Sequence, residues 1–443
     1  MKRTLLSVLF GLMIFSIQAQ NEIKFEEYDL DNGLHVILHQ DKSTPIVAVT
    51  VLYHVGSKNE ELNRTGFAHF FEHLLFEGTK YIERGEYDKY VIGAGGALNA
   101  NTTQDRTFYY ELLPSNELAL GLWLESERML HANILQEGVD TQREVVKEEK
   151  RQRMDNQPYG SFQKEMFEHM FKEHPYKWTP IGSMDDLNAA QLDEFMAFYK
   201  KFYIPNNATL SIAGDIDIDE AKEMIAMYFS DIPKGAEIER PNVVEPELTG
   251  EDRSVVYDNI QLPATFIGYR MPGQTDKDAY VLDCVTRVLS DGGSSRLNQR
   301  LVEKDKSALQ VLSFPYALED YGIFITLALA NMGNSLEDIE AAMDEEIARL
   351  QTELITEEEF QKVQNMIEND FVSSNGSMAG IAESLANYHV YYGDANLINN
   401  EIERYREVTR EDIKNAANKY LTKDKRIVLH YLPMSEKPES SVE

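Results

Sequence analysis

The chain has 443 residues, is 43% hydrophobic, and carries 43 Lys and Arg against 75 Asp and Glu for a net charge of −32. This length and apolar content exclude global disorder and predict at least two packed domains. The excess of carboxylates argues against nucleic acid as a partner, because phosphates require a basic surface. A single cysteine excludes an intrachain disulfide and a cysteine-based zinc site.

The first residues predict an export signal. Lys2 and Arg3 precede an apolar stretch from Leu5 to Ile17, which a step of small residues follows. The stretch is shorter than the roughly 18 residues that a transmembrane helix needs. We therefore predict a cleaved signal peptide over residues 1–20 and a periplasmic or secreted protein, with no membrane span in the rest of the chain.

In the first half, strands come first and helices follow. β-branched residues on both sides of a Ser-Thr-Pro break predict the first two strands, helical periodicity follows, and a last strand precedes a Gly-Asp pair. The predicted strands are 33–39, 46–53 and 209–214, and the predicted helices are 65–77, 83–93, 115–131, 137–155 and 188–202.

The periodicity lapses between Ile232 and Asp252, where Pro and Gly recur between charges. We place a linker at 236–252, between a catalytic zinc-binding domain at 21–235 and a second, related domain without zinc at 253–435. The predicted second-half strands are 253–258, 264–270, 308–317, 320–330 and 425–432, the helices are 277–290, 335–352, 356–372 and 378–391, and residues 436–443 form a polar tail.

The segment from Thr65 to Phe76 carries the residues with the clearest chemistry. His69 and His73 are one helical turn apart, so on a helix they face the same way and can bind one tetrahedral zinc ion. Glu72 lies beside them, where a base for a zinc-bound water is needed. Because paired helical histidines are more often packing or surface residues, a zinc site requires a third ligand elsewhere in the chain.

A second predicted helix offers that ligand. The apolar face of Val145 and Val146 lies close to Glu149 and well away from Glu148, so Glu149 is expected to point inward. A buried carboxylate needs a cation or metal to offset its burial. Gln142, earlier on the same stripe, is expected to hydrogen-bond behind the ligands. Two imidazoles and one carboxylate leave a fourth position for water, as in a catalytic zinc site.

The order His69-Phe-Phe-Glu72-His73 resembles the inverzincin signature. The surrounding residues resemble the pitrilysin and insulinase family of zinc metallopeptidases. The resemblance covers residues 25–435 and is more specific in the first half than in the second. The matching segments follow in the family's order at residues 69–80, 99–102, 105–110, 143–149 and 203–215.

The resemblance implies that His69, His73 and Glu149 bind one zinc ion per chain, with Glu72 as general base. It implies an α+β fold of two related domains, each an antiparallel β-sheet with helices packed on one face, that form half of a clamshell. It also implies that a peptide substrate adds as a β-strand near Asn99 and Ala100. Two such chains would face one another to close a chamber.

Two features depart from the family's pattern. Gln142 stands where the family often has Glu, which keeps a hydrogen bond but removes a charge. After a Ser-Arg-Leu turn in the second half, the family's Arg and Tyr positions are Val302 and Leu309. We therefore expect a homologous partner chain to supply the Arg/Tyr pair in a heterodimer. If Arg296 or Arg300 replaces the pair, a homodimer suffices.

The sequence thus predicts an exported zinc endopeptidase that hydrolyses extended peptides or unfolded segments in a closed chamber. Two alternatives stay open. One is a non-catalytic core subunit of the same fold, which would have no need for the complete metal-binding box found here. The other is a peptidase that processes one precursor, which a groove for extended peptides does not distinguish from a broad peptidase.

Overall fold

The computed structural model describes residues 22–240 and 242–438. The predicted signal peptide at 1–20 and the last residues of the predicted tail lie outside the described residues. The described strands form two sheets, one from each half of the chain. A search of the described residues finds no helix with the length and apolar character that crossing a membrane requires.

The first sheet is six-stranded, with spatial order β1-β2-β6-β3-β5-β4. All neighbouring strands are antiparallel except β2 and β6, which are parallel. The expected fully antiparallel sheet is therefore wrong for this pair, because β6 returns after the helices and inserts beside β2. The strands are β1 (Glu26–Asp29), β2 (His35–Gln40), β3 (Ile46–Tyr53), β4 (Ala97–Thr102), β5 (Thr107–Pro114) and β6 (Ala208–Gly214).

The predicted helices of the first half are present, and a π-helical turn at Arg151–Asp155 extends the fourth of them. Strands β1, β4 and β5 and helices α5, α6 and α8 are additions to the prediction. The helices are α1 (Phe67–Leu74), α2 (Tyr87–Gly93), α3 (Leu118–His131), α4 (Gln136–Lys150), α5 (Phe162–Met170), α6 (Met184–Ala189), α7 (Leu192–Phe202) and α8 (Ile218–Phe229).

The second sheet repeats this plan with five strands in the order β7-β11-β8-β10-β9. Its last strand, β11, also makes one parallel pairing, here with β7, so the second sheet is also mixed. Its strands are β7 (Asp252–Asp258), β8 (Ala264–Pro272), β9 (Ala308–Ala317), β10 (Tyr321–Ala330) and β11 (Arg426–Pro433).

Six described helices belong to this half of the chain, of which α13 and α14 were not predicted. The last of the predicted helices ends at Asn387 and continues as a π-helical turn over Tyr388–Tyr392. The helices are α9 (Lys277–Ser290), α10 (Leu336–Thr352), α11 (Glu357–Ser374), α12 (Met378–Asn387), α13 (Leu397–Arg406) and α14 (Arg410–Tyr420).

Each sheet is covered on both faces, so the expectation of helices on one face only is incomplete. One face of each sheet packs on helices of its own half. The other face of the first sheet packs on α12, with Ile37 and Ala48 against Leu385. The other face of the second sheet packs on α5. A Cβ added to Gly268 on β8 would lie 2.3 Å from the Met166 sulfur of α5, so a larger residue there would require the Met166 side chain to shift. The two halves therefore exchange helices.

A partly buried polar cluster also joins the halves. The Lys58 ammonium contacts Asp105 of the first half and both Glu319 and Asp320 of the second half, the last at 3.1 Å between Nζ and Oδ2. Burial raises the pKa of Glu319, but His54 and Lys58 lower it by more, to about 2. Burial likewise raises the pKa of Asp320, and His174 and Lys58 bring it down to about 2. Both carboxylates are therefore ionised wherever the fold is intact at neutral pH.

These depressed pKa values predict how stability changes with acid. The two carboxylates contribute their full stabilisation above their ordinary pKa values of 4.5 and 3.8, and the contribution is lost as pH falls towards about 2. Lys58→Met should lower the melting temperature most at neutral pH. The difference in melting temperature between this variant and the wild type should become smaller as the pH approaches 2. Thermal unfolding between pH 7 and 2.5 measures this, with the exposed Lys89→Met as control; a pH-independent difference would contradict the coupling.

Candidate metal centre

Helix α1 is anchored so that its polar side chains face away from the core. Phe70 and Phe71 pack on α7, with the Phe70 and Phe195 ring centroids 4.9 Å apart. The buried Glu60 carboxylate accepts hydrogen bonds from the backbone N–H groups of Gly66 and Ala68, each at 2.8 Å. It thereby pairs N–H groups that the start of a helix otherwise leaves without a partner. Gly66 has a φ of +91°, and a Cβ there would lie 2.8 Å from the Ile181 oxygen.

Helix α4 places Glu149 beside α1. The Glu149 side chain is 14% exposed, whereas that of Glu148 is 53% exposed. The inward direction of Glu149 agrees with the sequence argument, but one premise of that argument is wrong. Val146 is fully buried as expected, whereas Val145 is 43% exposed, because this side of the helix borders a cavity rather than the core.

The structure brings His69, His73 and Glu149 together. The Nε2 atoms of His69 and His73 lie 3.5 Å and 3.1 Å from Glu149 Oε2, and the three groups offer ligand atoms within 4.8 Å of one another. Burial raises the pKa of Glu149, but the two imidazoles lower it by more, so the pKa lies below its usual range. The second oxygen, Oε1, pairs with Arg153 Nη1 at 2.7 Å.

This arrangement fits a divalent transition metal. Despite its short distances to both rings, the buried Glu149 Oε2 has no hydrogen bond of acceptable geometry. A buried carboxylate oxygen without a hydrogen bond is costly unless a cation satisfies it. Two imidazole nitrogens and one carboxylate are the donor set of a catalytic zinc site that keeps one position open.

Glu72 lies beside these donors and is held by the edge strand of the sheet. Its Oε2 accepts a hydrogen bond from the Thr102 hydroxyl at 2.6 Å. Thr102 ends β4, which among the described strands pairs with β5 alone, so its other edge carries no described strand. The Glu72 carboxylate is thus held between the two histidines of α1 and the outer edge of β4.

A single cavity of about 1220 Å³ contains all these groups. His69, Glu72, His73 and Glu149 line it, and so do the two residues predicted to contact substrate, Asn99 and Ala100. One residue of the second half, Tyr316 on β9, also lines the cavity. The Tyr316 hydroxyl accepts a hydrogen bond from Gln163 at 2.8 Å. The cavity therefore brings together the candidate metal-binding groups, the outer strand of the first sheet and residues from both halves of the chain.

The Thr102 contact yields a testable expectation. Thr102→Val keeps the side-chain shape but removes the hydrogen bond that fixes Glu72, so we expect kcat for peptide hydrolysis to fall about tenfold. Thr102→Ser should restore most of the rate, because it keeps the hydroxyl. Steady-state kinetics and the pH profile of kcat measure the effect; equal rates for the valine and serine variants would contradict a positioning role.

Gln142 has a different contact from the one its position suggested. Its Nε2 donates to the Glu77 carboxylate, just after α1, and Glu77 in turn pairs with Arg84. Gln142 therefore links α4 to the segment that follows the histidine helix. A direct role of Gln142 behind the metal ligands stays a prediction.

The sequence analysis singled out four residues of the second half, and the structure places none of them in the lining of the cavity: Arg296, Arg300, Val302 and Leu309. Neither Val302 nor Leu309 is among the residues that line the cavity, and Leu309 is 51% exposed. Arg296 pairs with Glu359, with Nε and Oε1 2.7 Å apart, and Arg300 pairs with Asp305 and Glu345. Both arginines are thus engaged within their own half.

Sequence reasoning missed the roles of Glu60, Thr102 and Arg153. Glu60 caps α1 from a preceding loop, outside the usual Ser-x-x-Glu capping pattern. Thr102 lies within a segment that the family pattern matched, but no spacing rule connects a strand end to a helix carboxylate. Arg153 stands one turn after Glu149, and this spacing could have suggested the ion pair.

Comparison with known proteins identifies the family of the chain and agrees with its fold. Residues 35–182 match the family described as insulinase (peptidase family M16), and residues 189–367 match the peptidase M16 inactive domain. The chain is similar to the zinc protease PqqE of Helicobacter pylori, with 33% identity over 426 residues and 94% of each chain covered. The chain therefore belongs to the insulinase family, peptidase family M16.

Solved structures show the same architecture. A protease from Helicobacter pylori has a TM-score of 0.87 at 31% identity, covering 93% of this chain and all of that one. The periplasmic protease PqqL from Escherichia coli matches at a TM-score of 0.78 and 20% identity, covering 92% of this chain but 47% of its own. Pitrilysin matches with a TM-score of 0.78 at 16% identity, over 96% of this chain and 46% of its own. The last two similarities describe the fold alone.

Proposed function

We propose that this chain is an exported zinc-dependent endopeptidase that hydrolyses extended peptides. The observation that carries the proposal is the meeting of His69, His73 and Glu149 in one cavity, with Glu72 fixed beside them. Related proteins named zinc proteases support the same chemistry. One zinc ion per chain matches the one cluster of this kind that the described residues place in the cavity.

The roles of the residues follow from their positions. His69 and His73, as neutral imidazoles, and Glu149, as a carboxylate, would hold the metal. When bound, zinc would act as a Lewis acid that acidifies water and polarises the peptide carbonyl. Glu72 accepts a proton from the water that attacks the carbonyl carbon. It then gives that proton to the nitrogen of the broken C–N bond, which leaves as an amine.

The free edge of β4 supports binding of the substrate as an added strand. Asn99 and Ala100 lie in the middle of this strand and line the cavity next to Glu72. An extended peptide that pairs with a strand edge is held through its main chain, so its sequence is read only weakly. This favours extended peptides and unfolded segments as substrates, in place of folded proteins.

We further propose that a second, homologous chain closes the cavity. The family's Arg/Tyr pair has no counterpart at Val302 and Leu309, and Arg296 and Arg300 are engaged in ion pairs. PqqL and pitrilysin are about twice as long as the part that this chain matches, which supports assembly from two such units. A heterodimer would supply the pair, whereas a homodimer would work without it.

Two other functions remain as alternatives. A non-catalytic assembly subunit has no chemical need for the metal cluster, the fixed carboxylate and the free strand edge together. The match to the peptidase M16 inactive domain concerns residues 189–367, whereas the proposed ligands lie before them. A peptidase with one precursor as substrate would use the same groove, and only substrate profiling separates it from a broad peptidase.

Metal removal tests the proposal directly. The purified mature chain should contain one equivalent of zinc in the cavity, and it should lose peptide hydrolysis on treatment with a chelator and regain it on addition of zinc. The assay is run on the chain alone and with any homologous chain that co-purifies. Activity that appears only with the second chain supports the heterodimer, and full activity alone supports the homodimer. Peptide hydrolysis that survives complete metal removal would refute the proposed function.

A further inference from the structure

Arg106 is a buried arginine at the turn that joins β4 to β5. It is 8% exposed, and its guanidinium carbon lies 4.8 Å from the ring centroid of Phe108 on β5. The preceding residue, Asp105, accepts a hydrogen bond at 2.9 Å from the backbone N–H of Glu319, between β9 and β10. This turn is therefore attached to the second half of the chain. A buried guanidinium needs acceptors for its N–H groups, so its partners indicate which further elements the turn connects.

The guanidinium of Arg106 connects β4 to helix α12 of the second half. Its Nη2 donates to Asn101 Oδ1 on β4 at 3.2 Å, and its Nη1 donates to Asn387 Oδ1 on α12 at 2.6 Å. Nη2 also pairs with the carboxylate of Glu383, which lies on α12 as well. Because the guanidinium is planar and its donors point in fixed directions, these contacts set the position of β4 relative to α12.

The strand β4 is held from both of its faces. Side chains alternate between the two faces of a strand, so Asn101 and Thr102 point to opposite sides. Thr102 donates to Glu72 on the side of α1. On the side of α12, Ala386 packs with Phe108, which is the register partner of Asn101 on β5. The strand is thereby fixed between the proposed general base and a helix of the second half.

We propose that Arg106 is a positioning residue for the peptide substrate. It holds β4 in place, so that the outer edge of the strand is ready to pair with an extended chain. Asn101 is among the described residues that line the cavity, whereas Arg106, Glu383 and Asn387 are not. Arg106 therefore acts through β4 and not by touching the substrate. The inference rests on the proposed function, because it concerns the strand at which the substrate is proposed to bind.

The location of Arg106 predicts a larger effect on substrate binding than on the chemical step. A peptide pairs with a strand edge through main-chain hydrogen bonds, and an edge that is fixed in advance lowers the entropy lost on binding. Thr102 holds Glu72 from the opposite face, so the base keeps its own hydrogen bond when Arg106 is replaced. Arg106→Met should therefore raise KM about tenfold and change kcat by less than about twofold.

The test measures peptide binding in the full mature chain with Glu72→Gln, which slows turnover of the bound peptide. The probe is a fluorescein-labelled tryptic digest of casein, and fluorescence anisotropy gives its apparent Kd. Adding Arg106→Met should raise this Kd about tenfold and leave the zinc content unchanged. The side chain of Glu383 is 38% exposed, so the replacement leaves no fully buried, unpaired carboxylate behind.

Arg287→Met is the matched control for a loss of stability alone. Arg287 is a largely buried arginine that joins α9 to α11 within the second half, with its Nη1 2.6 Å from Oδ2 of Asp370. It is not among the described residues that line the cavity. This variant should lower the melting temperature by an amount similar to that of Arg106→Met and leave the peptide Kd unchanged. An equal rise of Kd in both variants would overturn the proposal.

Asn387→Ala is a milder variant that removes only the contact on α12. It should raise the peptide Kd about two- to fivefold, and it should add nothing to Arg106→Met, because that contact is then already lost. An unchanged Kd in the folded Arg106→Met and Asn387→Ala variants would overturn the proposal, and so would a reference chain that binds none of the peptides. A chain that binds the peptides but hydrolyses none would refute the proposed endopeptidase, and the Kd comparison would still decide the role of Arg106.

Discussion

Glu72→Gln is expected to lower kcat for peptide hydrolysis by about 10²–10⁴-fold, the range that removal of a general base produces. The amide keeps the size of the side chain but has no basic oxygen to accept the proton of the attacking water. The Thr102 hydroxyl can still donate to the amide oxygen, so the position of the side chain should change little. Single-turnover kinetics on a fluorogenic peptide measure the loss.

Zinc content distinguishes this loss from a collapse of the site. Glu72 makes no direct contribution to the three converging donors, so Glu72→Gln should bind zinc as the wild type does. Glu86→Gln, which removes an exposed carboxylate paired with Lys89, serves as a control for charge. A Glu72→Gln enzyme with wild-type kcat would eliminate this residue as the base, and a variant without zinc would make it part of the metal site.

Glu149→Gln should weaken zinc binding by more than about 100-fold, beyond the 10- to 100-fold that loss of an outer-shell partner causes. The amide carries no charge, so it neither neutralises the metal nor binds it strongly between two imidazoles. Glu148→Gln is the matched control, because it changes the adjacent residue, which is exposed and pairs with Arg151 at 3.1 Å. Competition with a chromophoric chelator gives both affinities.

The alternative outcomes separate two explanations. Equal affinities for the two variants would contradict Glu149 as a ligand, and a larger loss for Glu148→Gln would contradict the direction of the α4 face. Arg153→Ala removes the ion pair on the second oxygen of Glu149. Because Arg153 is 76% exposed, its loss should have little effect on zinc binding, and this variant checks that the ion pair is secondary.

Local sequence patterns predicted most helices and strands but not their arrangement. Apolar and β-branched residues bounded by turn signals identify β2 and β6 as strands, but such a pattern does not encode strand direction, so the sequence did not predict their parallel pairing. Helix α5 carries apolar residues such as Met166 and Phe167, but the surface they cover belongs to the other half of the chain. Contacts between distant segments decide such features, and no single segment records them.

For the candidate site, the sequence predicted those features of the geometry that a single helix determines. The spacing of His69 and His73 fixes their common face, and the structure places both beside Glu149. The prediction for Val145 was wrong because a helix pattern does not distinguish a dry core from a cavity wall. The contact of Thr102 with Glu72 depends on how an edge strand meets α1, which only the folded chain specifies.

The exchange of helices has a mechanical consequence for the metal centre. His69 and His73 stand on α1, which packs with the first sheet, whereas α5 packs under the second sheet. Only residues 151–161 separate α5 from the end of α4, where Glu149 lies. The position of Glu149, one of the three proposed ligands, is therefore coupled through this short connection to the packing of α5 under the second sheet. We expect the packing between the two halves to help hold the proposed metal centre together.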